Sequence, residues 1–199
     1  MTLAPYHHRN LLEAGCDEAG RGCLAGPVVA AAVILPPRAR IRGLNDSKKL
    51  SAAQRTELRP VIIRTAIAWA VAEATVEEID RINILNATFL AMHRAIAALS
   101  IPAQHLLIDG NRFHPYAGIH HTCMVQGDGR FRSIAAASVL AKTHRDALMD
   151  RLALDHPHYG WNMNKGYPTS DHRSAIALHG PCSWHRRSFR LLAEPPVLF

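Results

Sequence analysis

No apolar run in this 199-residue chain is long enough to span a bilayer. The longest lie near residues 28–35 and 66–72, well short of the roughly 20 residues a membrane helix needs. No charged-then-apolar leader is read at the N-terminus, so a cytoplasmic address is expected. Cysteine is sparse. Cys16, Cys23, Cys123 and Cys182 show neither a CxxC pair nor the spacing of a metal knuckle, and they read as free thiols in a reducing compartment. Repeats, low-complexity tracts and linker-like stretches are missing too, which leaves a single domain over residues 1–199 as the expectation. The dinucleotide fingerprint GxGxxG is also absent. Gly20, Gly22 and Gly26 miss it by one residue, and the acidic pair before them would repel a pyrophosphate. Acidic residues number 16 against 23 Lys and Arg, for a formal net charge of +7. That balance favours a polyanionic partner, nucleic acid before membrane surface.

The elements that are present alternate. Residues 11–16 and 28–35 read as strands joined by a glycine-containing turn, with Pro36-Pro37 ending the second. Residues 38–50 form a basic loop. Ser51 with Gln54 makes a capping box that starts a helix. A third strand is read at 67–71. Leu85, Phe89, Met92, Ile96 and Leu99 recur at helical spacing and predict a helix over 84–99 with that stripe in the core. Leu106-Leu107-Ile108 is a short buried strand ending on Asp109. A weaker strand follows at 122–126 and a long helix at 133–154. Thr169 or Ser170 opens another helix, stopped by Gly180-Pro181. Residues 1–10 read as a loose tail and the Pro195-Pro196 end as irregular. The alternation implies an α/β or mixed-sheet layer architecture.

Carboxylates gather at element ends. Asp17 and Glu18 close the first strand in this reading, Asp109 closes another, and Asp128 sits in a glycine-flanked loop before the long helix. Ligand sites of open α/β sheets lie outside the carboxyl ends of the strands. Converging carboxylates repel, and hard divalent cations such as Mg²⁺ or Mn²⁺ relieve that. Two such ions about 4 Å apart activate a water and stabilise a leaving oxygen at a phosphodiester. Strand-terminal Asp residues also serve as turn residues or N-caps, and for Asp109 before Gly110-Asn111 alone that reading is the stronger. Successive strand residues face opposite ways, so Asp17 and Glu18 share a cluster only if the strand ends or distorts there. Gly20-Arg21-Gly22 either approaches a ligand or makes a tight turn. Arg38, Arg40, Arg42, Lys48 and Lys49, and again Arg186, Arg187 and Arg190, either track phosphates or form solvated faces. Tyr159, Trp161 and Tyr167 stack on a base or pack a loop. The pairs His7-His8 and His120-His121 are metal-ligating residue types. Neighbouring side chains usually point apart, so a shared metal is not expected of them.

Six segments, "GCDEAGRGCLAGPVVAAAVIL", "LNDSKKLS", "LLIDGN", "GDGRFRSIAAASVLAKTHRDALM", "NKGYPTSDH" and "HGPCSWHRRSF", stand in this order. Together they resemble the motif set of the bacterial type 2 ribonucleases H, the ribonuclease HII family, from about residue 12 to 189. The resemblance implies a ribonuclease H-like mixed sheet flanked by helices, with a C-terminal helical extension from about residue 156. It implies an endoribonuclease that hydrolyses the RNA strand of RNA–DNA hybrids. Such an enzyme also cuts 5′ to ribonucleotides embedded in duplex DNA, leaving a 5′-phosphate, and acts in their removal during replication and repair. By resemblance, Asp17, Glu18, Asp109 and Asp128 hold two Mn²⁺ or Mg²⁺ ions, Asp17 and Asp109 innermost. Gly20, Arg21 and Gly22 contact the ribose 2′-hydroxyl, Tyr167 sits against the following sugar, and Lys48 and Lys49 contact phosphates. Lys142 and Asp146 are expected to support the site. The implied partners are the hybrid and the ribonucleotide-containing duplex, bound by a monomer with no membrane attachment. Gln126 and Asn164 depart from the family's usual Lys and His, removing positive charge near the site. No clamp-binding peptide is read in the C-terminal tail.

Overall fold

Val28–Ile34 is buried at all seven positions, as a strand must be when both edges are paired and both faces covered. In the computed structural model, whose described residues are 3–192, this strand (β2) lies between β1 (Glu13–Ala19) and β3 (Ala68–Ala74), antiparallel to both. On the other side of β1 follow β4 (His105–Asp109) and β5 (His120–Met124), each parallel to its neighbour. The order β3-β2-β1-β4-β5 makes one mixed five-stranded sheet.

Residue parity sorts the two faces. Ala14, Cys16, Val28, Ala30, Ala32 and Ile34 pack against α2 (Val76–Ala97). Val29, Ala31 and Val33 pack against α1 (Ala52–Thr65) and α3 (Arg132–Asp155). Small side chains let α3 come close, and at Gly15 it sits directly on β1. A Cβ there would lie 2.2 Å from the Ser133 carbonyl carbon and 2.3 Å from the Ile134 nitrogen. After α3 come two shorter helices, α4 (Trp161–Asn164) and α5 (Ser170–His179). Their apolar residues Trp161 and Ile176 join Leu24 and Ala25 of the 20–27 loop in a separate cluster. This is the expected mixed sheet flanked by helices with a helical C-terminal region. No helix among the described residues is long and apolar enough to cross a membrane.

Local signals held where they are local. The Ser51–Gln54 capping box forms in both directions, and Thr169 caps α5 by accepting from the His172 N–H. The helix read from residue 84 is the second segment of α2. Asn83 leaves helical geometry (φ 65°) and its Oδ1 accepts from the Leu85 and Asn86 N–H groups, capping that segment. The earlier turns, opened by a Thr75–Glu78 capping box, were missed. Two expectations need correction. β1 runs through Asp17 and Glu18 to Ala19, because Asp17↔Ala31, Glu18↔Ala30 and Ala19↔Val29 continue its ladder with β2. The N-terminal segment is not loose from Leu3 onward. Ala4 donates to the Arg130 carbonyl (2.7 Å) and accepts from the Arg132 N–H (3.0 Å), bridging to the start of α3. The Pro195-Pro196 tail, with the clamp-peptide reading attached to it, lies outside the described residues.

The α3–β1 approach is testable. Gly15→Ala is expected to destabilise the protein by roughly 1–3 kcal/mol, because backbone rather than a flexible side chain must yield. Thermal melting checks this, and an unchanged midpoint would show that the helix is not in contact there.

Candidate active site

Asp17 and Asp109 come together through register. The β1–β4 ladder ends at Cys16↔Ile108, so the next residues on each strand are Asp17 and Asp109. Both have the parity of Gly15 and Leu107, which face α3. Asp128 arrives from the short 3₁₀ turn Gly127–Gly129 just before α3. Gly127 donates its N–H to Asp109 Oδ1 (2.7 Å), which couples that turn to the end of β4. Carboxylate oxygens of Asp17, Asp109 and Asp128 all lie within 4.8 Å of one another.

Glu18 stands outside this trio. Because β1 continues as a regular strand, Glu18 has the opposite parity. Its Oε1 meets Arg21 Nη1 at 3.3 Å, while its N–H donates to Asp17 Oδ1 (2.7 Å). It nonetheless borders the same cleft, about 320 Å³ in volume, together with Asp17, Asp109, Gly20, Arg21, Gly22, Lys48 and Tyr167. Lys48 Nζ reaches within 3.9 Å of Asp128 Oδ2. Lys49 is not part of the cleft lining and instead faces Asp46 at 3.9 Å.

The electrostatics of the trio are uncomfortable. Burial, then Glu18 and Asp109, push the Asp17 carboxyl well above its ordinary range. Burial and then Asp109 raise Asp128 to about 6. Burial also raises Glu18, although Arg21 opposes it. Partial burial works against the Lys48 ammonium, but Asp128 and Asp17 outweigh it and lift its pKa. Among the described residues, Asp128 Oδ2 is buried without a hydrogen-bond donor. A buried acceptor left bare is costly, and an all-oxygen donor set around it suits a hard divalent cation of the Mg²⁺ or Mn²⁺ kind.

Two buried arginines hold the opposite wall. Arg145 donates from Nε to the Pro27 carbonyl (3.1 Å), from Nη1 to Lys165 (2.8 Å) and from Nη2 to Ala25 (2.9 Å). Gly20, at φ +97°, lies against this guanidinium, and a Cβ there would be 2.1 Å from Nε. Arg186 donates to the carbonyls of Gly26 (2.9 Å) and Arg21 (3.0 Å). The phosphate-tracking reading of Arg186 is thereby corrected, since it is fully buried with Nε and Nη1 on loop carbonyls. Sequence reasoning missed Arg145. The available signal was its place between Ala141 and Met149, one turn from each on the buried stripe of α3. Gly22, in contrast, has open space where a side chain would be.

Tyr167 is carried on a loop tied to the same wall. The Leu24 N–H donates to the Gly166 carbonyl (2.8 Å). His172 Nδ1 donates to the Tyr167 carbonyl (2.9 Å), and its Nε2 accepts from Trp161 Nε1 (2.9 Å). Burial lowers the His172 pKa, in keeping with that neutral tautomer. Asn164, one of the departures from the family pattern, donates to the Tyr159 carbonyl (2.7 Å) and accepts from the Gly166 N–H (2.8 Å). Its role here is to shape this loop. Lys142 Nζ stands 5.5 Å from the Tyr167 ring centroid and is held by Asp146 at 2.6 Å. Trp161 and Tyr159 are buried core residues and do not reach the cleft.

The family profile described as Ribonuclease HII covers residues 14–192. Ribonuclease HII of Parabacteroides distasonis is 62% identical over 196 residues, 98% of each chain. Among solved structures, ribonuclease H2 from Pyrococcus horikoshii OT3 superposes with a TM-score of 0.75 at 25% identity, covering 90% of this chain and 94% of that one. The PCNA:RNase HII complex from Archaeoglobus fulgidus gives 0.77 at 27%, covering 94% and 98%. With a profile match over nearly its whole length and a relative at this identity, the chain belongs to the ribonuclease HII family and is a metal-dependent ribonuclease H.

Proposed function

We propose that the cleft cuts the RNA strand of RNA–DNA hybrids and the 5′ side of single ribonucleotides embedded in duplex DNA, in ribonucleotide removal during replication and repair. The observation that carries this reading is one shared cleft. Asp17 and Asp109 line it, as do Gly22 and Tyr167, and Asp128 brings a carboxylate oxygen within 4.8 Å of those of Asp17 and Asp109. Two divalent ions, Mn²⁺ or Mg²⁺, would supply an activated water and stabilise charge on the departing 3′-oxygen.

The residues divide this work by position. Asp17, Asp109 and Asp128 would be the direct ligands. Glu18, turned the other way but bordering the cleft, would orient a water at the rim. Gly22 leaves backbone open to a close approach, where the ribose 2′-hydroxyl distinguishes RNA from DNA. Because Arg145 and Arg186 already hold the 20–27 loop, little of that geometry must be ordered on binding. Burial raises the Tyr167 hydroxyl above its ordinary pKa, with Cys23 beside it adding to the shift, so it stays protonated and can donate to a sugar oxygen. Lys48, exposed at its tip, can exchange Asp128 for a substrate phosphate. Lys49 would act from outside the cleft.

Three outcomes test the reading. Asp109→Asn should lower cleavage of an embedded-ribonucleotide duplex by roughly 100-fold or more while leaving the fold intact, and full activity would remove Asp109 from the site. Tyr167→Ala should cost about 10-fold or more on the same substrate, and an unchanged rate would reject its role beside the sugar. The third concerns pH. Asp128 in the folded state is protonated below about 6, and a protonated carboxyl does not bind the ion. The Mn²⁺-induced rise in melting temperature should therefore be full near pH 8 and largely lost near pH 5. An equal rise at both would place the ion elsewhere.

A further inference from the structure

We propose that His7, His8, Glu13 and His105 form a second metal site, for a zinc-class divalent ion, at the end of the sheet opposite the carboxylate cleft. One ligand atom from each of the four lies within 4.8 Å of the others. Glu13 opens β1 and His105 opens β4, and the parallel register sets them side by side. Asp17 stands four residues further along β1, about 13 Å away at roughly 3.3 Å per residue. The two sites therefore share no ligand.

The adjacent histidines converge because their segment is a turn, outside the alternation of a strand. Each oxygen of the Glu13 carboxylate accepts one backbone N–H, from His7 and from His8, both at 2.7 Å. The carboxylate thus folds the N-terminal segment back over the strand ends. Ring centroids then stand 4.4 Å apart for His7–His8 and 4.8 Å for His8–His105. His105 Nε2 is engaged with Thr122 Oγ1 at 2.9 Å, which leaves Nδ1 as the nitrogen free to ligate. A ligand histidine whose other nitrogen is fixed by a hydrogen bond is the usual arrangement in metal sites.

The donor set decides the ion. Three imidazoles and one carboxylate make the four-ligand complement that zinc takes tetrahedrally. Imidazole suits zinc, nickel and cobalt, whereas Mg²⁺ and Mn²⁺ favour the all-oxygen cleft. Glu13 is only 7% exposed. Among the described residues, backbone amides are its hydrogen-bond donors and no Lys or Arg pairs with it. A buried carboxylate in that condition gains from a cation. The site would clip the N-terminal segment to the sheet, beside the Ala4–Phe131 bridge that already ties it to α3.

The test is Zn²⁺ binding by tag-free full-length protein in excess Mg²⁺, read by competition with a chromophoric chelator. Co²⁺ replaces Zn²⁺ in a parallel experiment to report four-coordinate absorption. One Zn²⁺ per chain is expected, raising the melting temperature and retained in Asp109→Asn. The exposed-ligand variants His7→Ala and His8→Ala should each weaken it by about 10-fold or more. Three results would each overturn the site: no stoichiometric Zn²⁺ under these conditions, binding unchanged in the His7→Ala/His8→Ala double variant, or binding lost in Asp109→Asn.

Discussion

The shape of the cleft depends on what Arg145 does inside the protein. Its guanidinium is fully buried, has no carboxylate partner among the described residues, and distributes its donors over the carbonyls of Pro27, Ala25 and Lys165. Those carbonyls belong to two loops that no strand ladder or helix would hold together. One carries Gly20-Arg21-Gly22 and the other Gly166-Tyr167. Arg186 repeats the device at Gly26 and Arg21. Burial, with Arg145 nearby, lowers its pKa to about 10, so it remains a cation at neutral pH. A guanidinium suits this task because its planar fork satisfies several acceptors at once. The wall is consequently held together by hydrogen bonds within the protein itself.

Facing it is a wall in electrostatic tension. The register of β1 and β4 forces Asp17 and Asp109 onto one face, and the Gly127 amide draws the Asp128 turn against them. Burial then makes each negative charge costly, as the raised pKa values of Asp17 and Asp128 record. Packing elsewhere sustains the arrangement, above all α3 seated on Gly15. Local disfavour that the surrounding structure over-determines is expected at functional sites. The opposite end of the sheet handles charge differently. There a single buried carboxylate, Glu13, gathers imidazoles, a softer donor set than the oxygen-only cleft.

The sequence by itself determined what is local. The Ser51–Gln54 capping box, the Phe89, Met92 and Ile96 part of the α2 stripe, the buried run of β2 and the Gly180-Pro181 stop all act within one or two turns of chain, and all formed; Leu85 is only partly buried and Leu99 lies beyond the helix. Asp17, Asp109, Asp128 and Tyr167 were singled out through motif resemblance rather than spacing, since Asp109 alone read better as a turn residue, and the fold brings the three aspartates within 4.8 Å of one another. Three matters belonged to the tertiary structure. The charge on Asp17-Glu18 suggested a strand end, but ladder pairing with β2 carried the strand through, and parity then turned Glu18 away from the trio. The charge on Arg186 suggested solvent, but carbonyls from a loop some 160 residues earlier in the chain made burial tolerable. His7 and His8 suggested divergence, but a carboxylate five and six residues on bent the backbone beneath them. In each case side-chain chemistry was visible in the sequence, while its partner was chosen by register or by a remote backbone group. That choice is made only when the chain closes on itself.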